Sequence, residues 1–570
     1  MKQEIIKTDV LIIGGGGAGV RAAIEADKQG VSVALINKGV VSRSGLTPMA
    51  GYSYQAAFGH ADPKDNPEVH FEDMVREGRG LGDENLIHAL VQEAKERALD
   101  LAHYGVHFAR KDGKFAQVRH PGQTYPRINR IPGRGYQMML GLKKHLLRNT
   151  KVDVYEDCLV SKILSDPQRI PSGVVVYLQR EGTVKVFQCK TLILATGGYE
   201  ELWEKTDTAP DSTGDGISLA ADLGTKLVDL EMALYYPVVT FGSKVYPGTM
   251  RQVLQYESLL EKEYLGGKLL NALGEEFIPP GKLPVRDVLM ALILKEAEEG
   301  RATERGGVFT DLSKSHLNLE EKERMIEQIG CQVQFKRVEH LGIDLRKDPV
   351  EVGPAVHYCL GGVRINEWTE TSVSNLYAAG EVTGNVHGAN RISGNALAET
   401  QVFGRRAGFR AGQRAKELEA FPTISPPQVD TEIKKISALF DHKKNSLRPV
   451  KIRKEINRIM ETWVSLKRSD TGLRKAIEAF KQIQDNDLPR MQVQDEKIFN
   501  NELQEAIEVG FMAKTAEMVA QAALLRKESR GHHLRSDYPN EDPSWLKHTV
   551  VEKKGRELIC TTAPVVRLKE

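Results

Sequence analysis

Residues 8–36 read TDVLIIGGGGAGVRAAIEADKQGVSVALI. Thr8 to Ile13 form a short apolar strand, and Gly14 to Gly19 a glycine turn of the G-x-G-x-x-G type. VRAAIEADKQG then has helical periodicity, and VSVALI at 31–36 is the next strand. Gly14 permits the tight turn, Gly16 lets the backbone approach a pyrophosphate, and Gly19 lets the helix lie close on the strand. The helix N-terminus, with Ala18 in its first turn, then faces phosphates. This order predicts an α/β, Rossmann-type domain that binds a dinucleotide. The second strand of such units commonly ends in an acidic residue for the ribose. Here Asn37 stands there, followed by Lys38, and an amide still bonds a hydroxyl.

Three further glycine segments lie outward from this unit. SRSGLTPMAGYSYQAAFG at 42–59 carries Ser44, Gly45 and Gly51. TLILATGGYEELW at 191–203 ends a strand in Thr196-Gly197-Gly198, and STGDGISLAADLG at 212–224 opens a helix at Asp215. LYAAGEV at 376–382 is another strand with Gly380 and Glu381 behind it. A minimal NAD domain has no need of these returns, whereas enclosing a large flavin does. The cofactor expected is FAD.

The returns are separated by about 120 residues of mixed short elements and many charges. The expected organisation is an FAD-binding domain over 1–235 and 352–420, an α+β capping domain over 236–351, and a helical domain with a tail over 421–570. FPTISPPQVD at 421–430 reads as a linker. Segments 152–157, 173–180 and 185–196 read as a small β-meander. DYPNEDPSWLKHTVVEKKGRELICTT at the end reads as extended and polar.

Composition narrows the function classes. The 570 residues hold 79 basic and 77 acidic side chains, a net charge of +2 that argues against nucleic acid and against an anionic membrane surface. The five cysteines stand far apart with no C-x-x-C pair, so neither a disulfide framework, a metal site nor an iron–sulfur cluster is expected within the chain. The chain runs straight into a strand, with no signal peptide expected ahead of it. Its longest apolar run, Val288 to Leu294, is far short of a membrane span. A cytoplasmic protein is expected, reaching the inner face of a membrane only through partners.

His357 to Leu397 is the densest stretch, with His357, Glu381, His387, Arg391 and many glycines between two strand-like segments. With GGGGAG, SRSG, ATGG, TGDG, VRD, HYCLGG, LYAAGEV, VHGANR, ESRGHHLRSDYP and WLKHT in that order, the chain resembles, nearly end to end, the flavoprotein subunit of the succinate dehydrogenase/fumarate reductase family. That family also includes L-aspartate oxidase and adenylylsulfate reductase. The resemblance implies hydride transfer between flavin N5 and one carbon of a C=C or CH–CH bond, with a proton moving at the other carbon. It implies Arg286 of VRD as proton donor, and His357 and Arg391 as binders of a substrate carboxylate. Arg391 suits bidentate bonding. It gives Glu381 to the flavin ribose and Asn395, Ala396 and Leu397 to the flavin ring, and leaves His387 structural.

Three departures stand out. Gly45 follows Arg43-Ser44 where membrane-bound members attach FAD through a histidine, so FAD is expected to be non-covalent. Tyr236 precedes Pro237 where a substrate-binding histidine is usual, and is expected to bind substrate in its place; a phenol donates one hydrogen bond but carries no positive charge at neutral pH, so a second carboxylate would be held less firmly. The glutamate–arginine relay before a Gly-Gly is not kept in ESLLEKEYLGGKLLN, where Glu261, Lys262 and Glu263 leave the recharging of Arg286 unassigned. The substrate is then fumarate or succinate with a rearranged relay, or another unsaturated acid. An iron–sulfur partner subunit is expected from the C-terminal resemblance. The competing readings are a stand-alone L-aspartate-oxidase-like enzyme and a flavin electron-transfer subunit without substrate turnover.

Overall fold

A computed structural model describes residues 5–239, 256–279, 283–329, 331–339, 342–441 and 445–568. Its principal sheet runs, edge to edge, Asp153–Tyr155, Val33–Ile36, Ile5–Ile13, Thr183–Leu194, Pro171–Leu178 and Cys158–Ser165. Ile5–Ile13 pairs in parallel with Val33–Ile36 and with Thr183–Leu194. Val10, Leu11 and Ile12 are wholly buried, as a parallel strand covered on both faces requires. Leu376–Ala378 adds in parallel to Thr183–Leu194, so the late LYAAGEV segment returns to the first sheet.

The meander expected from 152–157 forms differently. Asp153–Tyr155 pairs in parallel with Val33–Ile36, and the meander uses Cys158–Ser165 instead. Asp157, in the left-handed region at φ 55°, breaks the two strands apart.

A second, four-stranded sheet is ordered Ala233–Val239, Val350–Cys359, Val308–Asp311, Lys268–Leu270. Its first two strands are antiparallel, with Tyr236 opposite Ala355, and they bring Tyr236 and His357 side by side. The helix Arg286–Glu298 packs on this sheet and starts at Arg286.

The C-terminal part is helical, with Pro449–Trp463, Asp470–Gln482 and Asn501–Leu525 packed together. The linker is shorter than expected, because Pro426 is already the first residue of the helix Pro426–Ser437, a position where its missing N–H costs nothing. The tail is a hairpin, Lys547–Lys554 with Glu557–Pro564, that adds to Leu227–Val228. His548, Thr549, Val550 and Val551 are buried there, so the tail is not polar throughout. Wholly buried Arg526 bonds Asp229, Glu231 and Glu528 and ties the C-terminal part to the segment after Leu227–Val228.

Candidate active site

The glycine turn is built by close approach. Gly14 has φ 109°, and a Cβ on it would stand 2.1 Å from the Ala195 carbonyl oxygen. A Cβ on Gly19 would stand 1.8 Å from the Gly14 oxygen, so only glycine lets the helix Gly17–Asp27 seat on its strand. That helix has no side-chain cap and no acidic residue in its first turn, which leaves a positive end. A Cβ on Gly16 would meet only Thr47 Oγ1, at 3.6 Å, and Gly45 and Gly197 would meet nothing within 4 Å.

These open glycines line one cavity of ≈ 380 Å³, within the size range of ligand sites. Gly14, Gly16, Ala18, Asn37, Lys38, Ser44, Gly45, Gly51, Thr196, Gly197, Asp215, Glu381, Ala396 and Leu397 all border it. So do Tyr236, Arg286, His357 and Arg391. Of the residues named from sequence, Gly19 and Asn395 lie behind the wall. Asn395 is buried, with its Oδ1 on His70 Nε2 at 3.0 Å.

Asn37 organises its own loop. Its Oδ1 accepts from Gly15 N–H (2.8 Å), and its Nδ2 donates to Gly39 O and Ser44 Oγ. Lys38 Nζ pairs with Asp215 and Glu508, both at 2.9 Å, joining the second strand to two helices. Glu381 accepts from Cys359 N–H (3.0 Å) beside Glu200, which shares the same donor. Burial and Glu200 push the Glu381 carboxyl well above its ordinary range. A second helix, Asn395–Glu417, opens at Gly394 (φ 91°), and its first-turn residues Ala396 and Leu397 border the cavity. A glycine-lined channel with two helix N-termini fits an FAD, whose pyrophosphate and flavin carbonyls are acceptors.

The other end of the cavity is built from side chains. Arg286 Nη2 donates to Glu257 Oε1 at 3.0 Å, and Tyr236 donates its hydroxyl to Glu257 Oε2 at 2.7 Å. The Tyr256 N–H donates to the Tyr236 oxygen at 3.2 Å. The guanidinium lies 4.8 Å from the centre of the Tyr236 ring, which stacks on His357 at 4.9 Å. Arg286, Tyr236, Tyr256 and Glu257 are buried, Glu257 being 2 % exposed, while His357 is half-buried. Burial alone would raise the Glu257 pKa, but Arg286 holds it down at about 2, and Glu257 in turn raises that of Arg286.

Glu257 carries no local mark in the sequence. The sequence leaves the relay unassigned among the charged residues Glu261 to Glu263, whereas the carboxylate on Arg286 sits one helical turn before Glu261, in Tyr256–Leu260. The usable signal is that an arginine inside an apolar helix start needs a counter-ion. Glu261 lies apart from Arg286, on a neighbouring cavity of ≈ 900 Å³, where burial and Glu257 push it up to about 8. Tyr236 borders the cavity with its ring, while its hydroxyl is engaged by Glu257.

His357 Nδ1 lies 2.9 Å from Asp207, held there by the Asp207 N–H on Val356 O. The carboxylate fixes Nδ1–H as the donor and turns the other ring edge to the cavity. Arg391 is 6 % exposed and lies 4.3 Å over the Tyr358 ring. It makes no hydrogen bond or ion pair among the described residues, and its Nε is buried without a partner. Burial and the nearby Arg286 push its pKa down to about 10. His387 is bonded to Glu399 at 2.8 Å.

Known proteins share this arrangement of the chain. It matches the family described as FAD binding domain over residues 9–397, and Fumarate reductase flavoprotein C-term over 453–568. It is 38% identical to a subunit of the fumarate reductase (CoM/CoB) of Methanothermobacter marburgensis, across 97% of this chain and 98% of that protein. It is 30% identical to a succinate dehydrogenase flavoprotein subunit of Rickettsia felis, across 97% of this chain and 94% of that one. A solved quinol-fumarate reductase with menaquinol superposes with a TM-score of 0.88 at 27% identity, covering 99% of each chain. Adenylylsulfate reductase of Archaeoglobus fulgidus shares the fold, with a TM-score of 0.83 at 21% identity over 100% of this chain and 97% of that one. The chain therefore belongs to the family of FAD-dependent oxidoreductases formed by the flavoprotein subunits of fumarate reductases and succinate dehydrogenases.

Proposed function

We propose that this chain reduces the C=C bond of fumarate or a closely related unsaturated dicarboxylate, as the flavoprotein subunit of a larger complex. The observation that carries this is Arg391, a buried guanidinium without a partner among the described residues, at the flavin-ring end of the cavity. An unpaired buried cation is costly unless a ligand supplies the anion. A substrate carboxylate does so, accepting bidentate bonds from Arg391 and meeting the ring edge of His357 that faces away from Asp207.

FAD, when bound in the glycine-lined channel, would supply the hydride for one carbon of the double bond. The chain's residues manage the rest. Arg391 and His357 fix the carboxylate, and so the position of the double bond, which makes proton delivery effectively intramolecular. Arg286 holds a proton at Nη1, which has no partner among the described residues, beside the position of the second carbon. An isolated arginine does not release that proton. Glu257 on Nη2 and Tyr236 on the far carboxylate oxygen form the hydrogen-bonded line along which a proton is returned as one leaves. Burial of the whole line excludes water, which would otherwise compete for the anion and the proton.

FAD is held without a covalent link, since Gly45 follows Ser44 and no histidine occurs from 42 to 59. Acid precipitation then releases all of the yellow colour, and colour remaining in the pellet refutes this. Electrons enter from a separate iron–sulfur subunit, which the match of residues 453–568 to Fumarate reductase flavoprotein C-term supports. The names of the relatives, subunits of reductases and dehydrogenases, support the same assembly. No helix among the described residues is long and apolar enough to cross a membrane.

The test is to reduce the flavin anaerobically and add fumarate. Rapid reoxidation supports the proposal. Failure of fumarate to reoxidise it, with reduction by L-aspartate instead, would replace it with the oxidase reading.

A further inference from the structure

Tyr236 leaves a gap at the far end of the substrate. Its hydroxyl donates to Glu257 and its oxygen accepts from Tyr256 N–H, so it has little left for a ligand. Another side chain stands at this end. His120, on the loop after Gln117–Val118, borders the same cavity as Tyr236, Glu257 and Arg286. It is 1 % exposed, and its Nδ1 is buried without a partner among the described residues.

The ring is held in place from behind. Its Nε2 lies 3.2 Å from the Tyr52 hydroxyl, which lies 3.0 Å from Ser258 Oγ, next to Glu257 on the same short helix. The Tyr52 ring meets the imidazole edge-on, at 6.0 Å and 74°. The His120 N–H donates to Gln123 Oε1, closing its own loop. We assign Tyr52 as the donor to Nε2, with Ser258 donating to Tyr52, which leaves the proton of the neutral ring on Nδ1. A buried donor held this rigidly and left unpaired is costly unless a ligand completes it.

We propose that His120 is a specificity-determining residue, whose Nδ1–H bonds the substrate carboxylate farther from Arg391. It fills the role that Tyr236 cannot. Burial, with Arg286 and Arg130 nearby, pushes the imidazole pKa down to about 4, although Glu257 works against this. The far end is therefore recognised by a neutral donor, while the near end is held by the Arg391 cation. The inference rests on the dicarboxylate reading above.

The test pairs a dicarboxylate with a monocarboxylate of the same length. FAD-loaded protein is titrated calorimetrically with succinate and with crotonate, and turnover is measured on fumarate and crotonate. In His120→Phe, succinate affinity should fall about tenfold and the fumarate KM should rise to match, as loss of one hydrogen bond to a charged group implies. Crotonate should be unaffected, because a methyl group replaces its far carboxylate. His120→Asn, which keeps an N–H donor, should restore part of the preference. If His120→Phe does not load FAD, Tyr52→Phe should give a smaller loss of the same preference, by freeing the ring. Equal losses on both acids would mean a structural role and would overturn the inference, as would an unchanged succinate affinity. Wild-type protein that binds neither acid overturns the dicarboxylate reading and the inference together. Wild type that binds succinate while His120→Phe binds it equally overturns the inference alone.

Discussion

Two buried arginines border the same end of the cavity, and the protein keeps them in opposite ways. Arg286 is paired with Glu257, stacked on Tyr236, and made more basic by its surroundings. Arg391 has an aromatic face beneath it but no hydrogen-bonded or ion-paired anion among the described residues, and burial makes it less basic although Glu381 and Glu399 work against this. The first has its counter-ion without a ligand and the second does not. The difference separates the proton-handling side of the site from the side that recognises the substrate.

The sharpest way to break this contrast is to remove the paired arginine. Arg286→Ala should lower kcat about 10³-fold, the usual size of a lost general acid, with a much smaller change in the substrate dissociation constant. Equal losses in kcat and affinity would mean that Arg286 only binds.

The two arginines should also answer oppositely in stability. Arg286→Met strands Glu257 in the interior and should cost about 3–5 kcal/mol. Arg391→Met removes an unpaired buried charge and should be neutral or stabilising by about 1 kcal/mol. Denaturant unfolding of the FAD-loaded protein without substrate measures both. Destabilisation of similar size in the two variants would mean that Arg391 has an anion after all.

A third difference lies in pH. The folded Glu257 pKa, at about 2, lies below its ordinary 4.5, so the group binds fewer protons folded than unfolded. Its contribution, about 3 kcal/mol at 1.36 kcal/mol per unit, is complete above pH 4.5 and is lost as pH falls toward 2. The stability gap between wild type and Glu257→Gln should close over that window and stay constant above it. A gap that changes near neutrality would assign the titration to another group.

The smallest expected effect is at the support of His357. Asp207→Asn keeps the shape but weakens the hold on Nδ1, and should raise KM about fivefold, for about 1 kcal/mol, with kcat nearly unchanged.

The parts of this site differ in how openly the sequence shows them. The nucleotide turn is legible because its requirement is steric and local. Gly14 and Gly19 stand where any Cβ would strike a backbone oxygen, and that constraint is written in consecutive residues. His357, Glu381 and Arg391 are legible only through family resemblance, because nothing local tells a ligand histidine from a packed one. Glu257, Asp207 and His120 carry no local mark in the sequence. Each acquires its role through a partner far along the chain, as with Glu257 and Arg286, Asp207 and His357, and His120 and Tyr52. The meander misleads for a similar reason, since Asp153–Tyr155 has the pattern of a strand but its pairing depends on a turn at Asp157.

By itself, the sequence determined the α/β class and the nucleotide turn, because strand periodicity and glycine spacing act between near neighbours, while the family rested on the resemblance of motifs ordered along the whole chain. Tertiary structure alone decided which acid meets which base. In a buried site a charge is set by whatever lies within a few ångströms, and those neighbours come from distant segments, 150 residues apart in the case of Asp207 and His357.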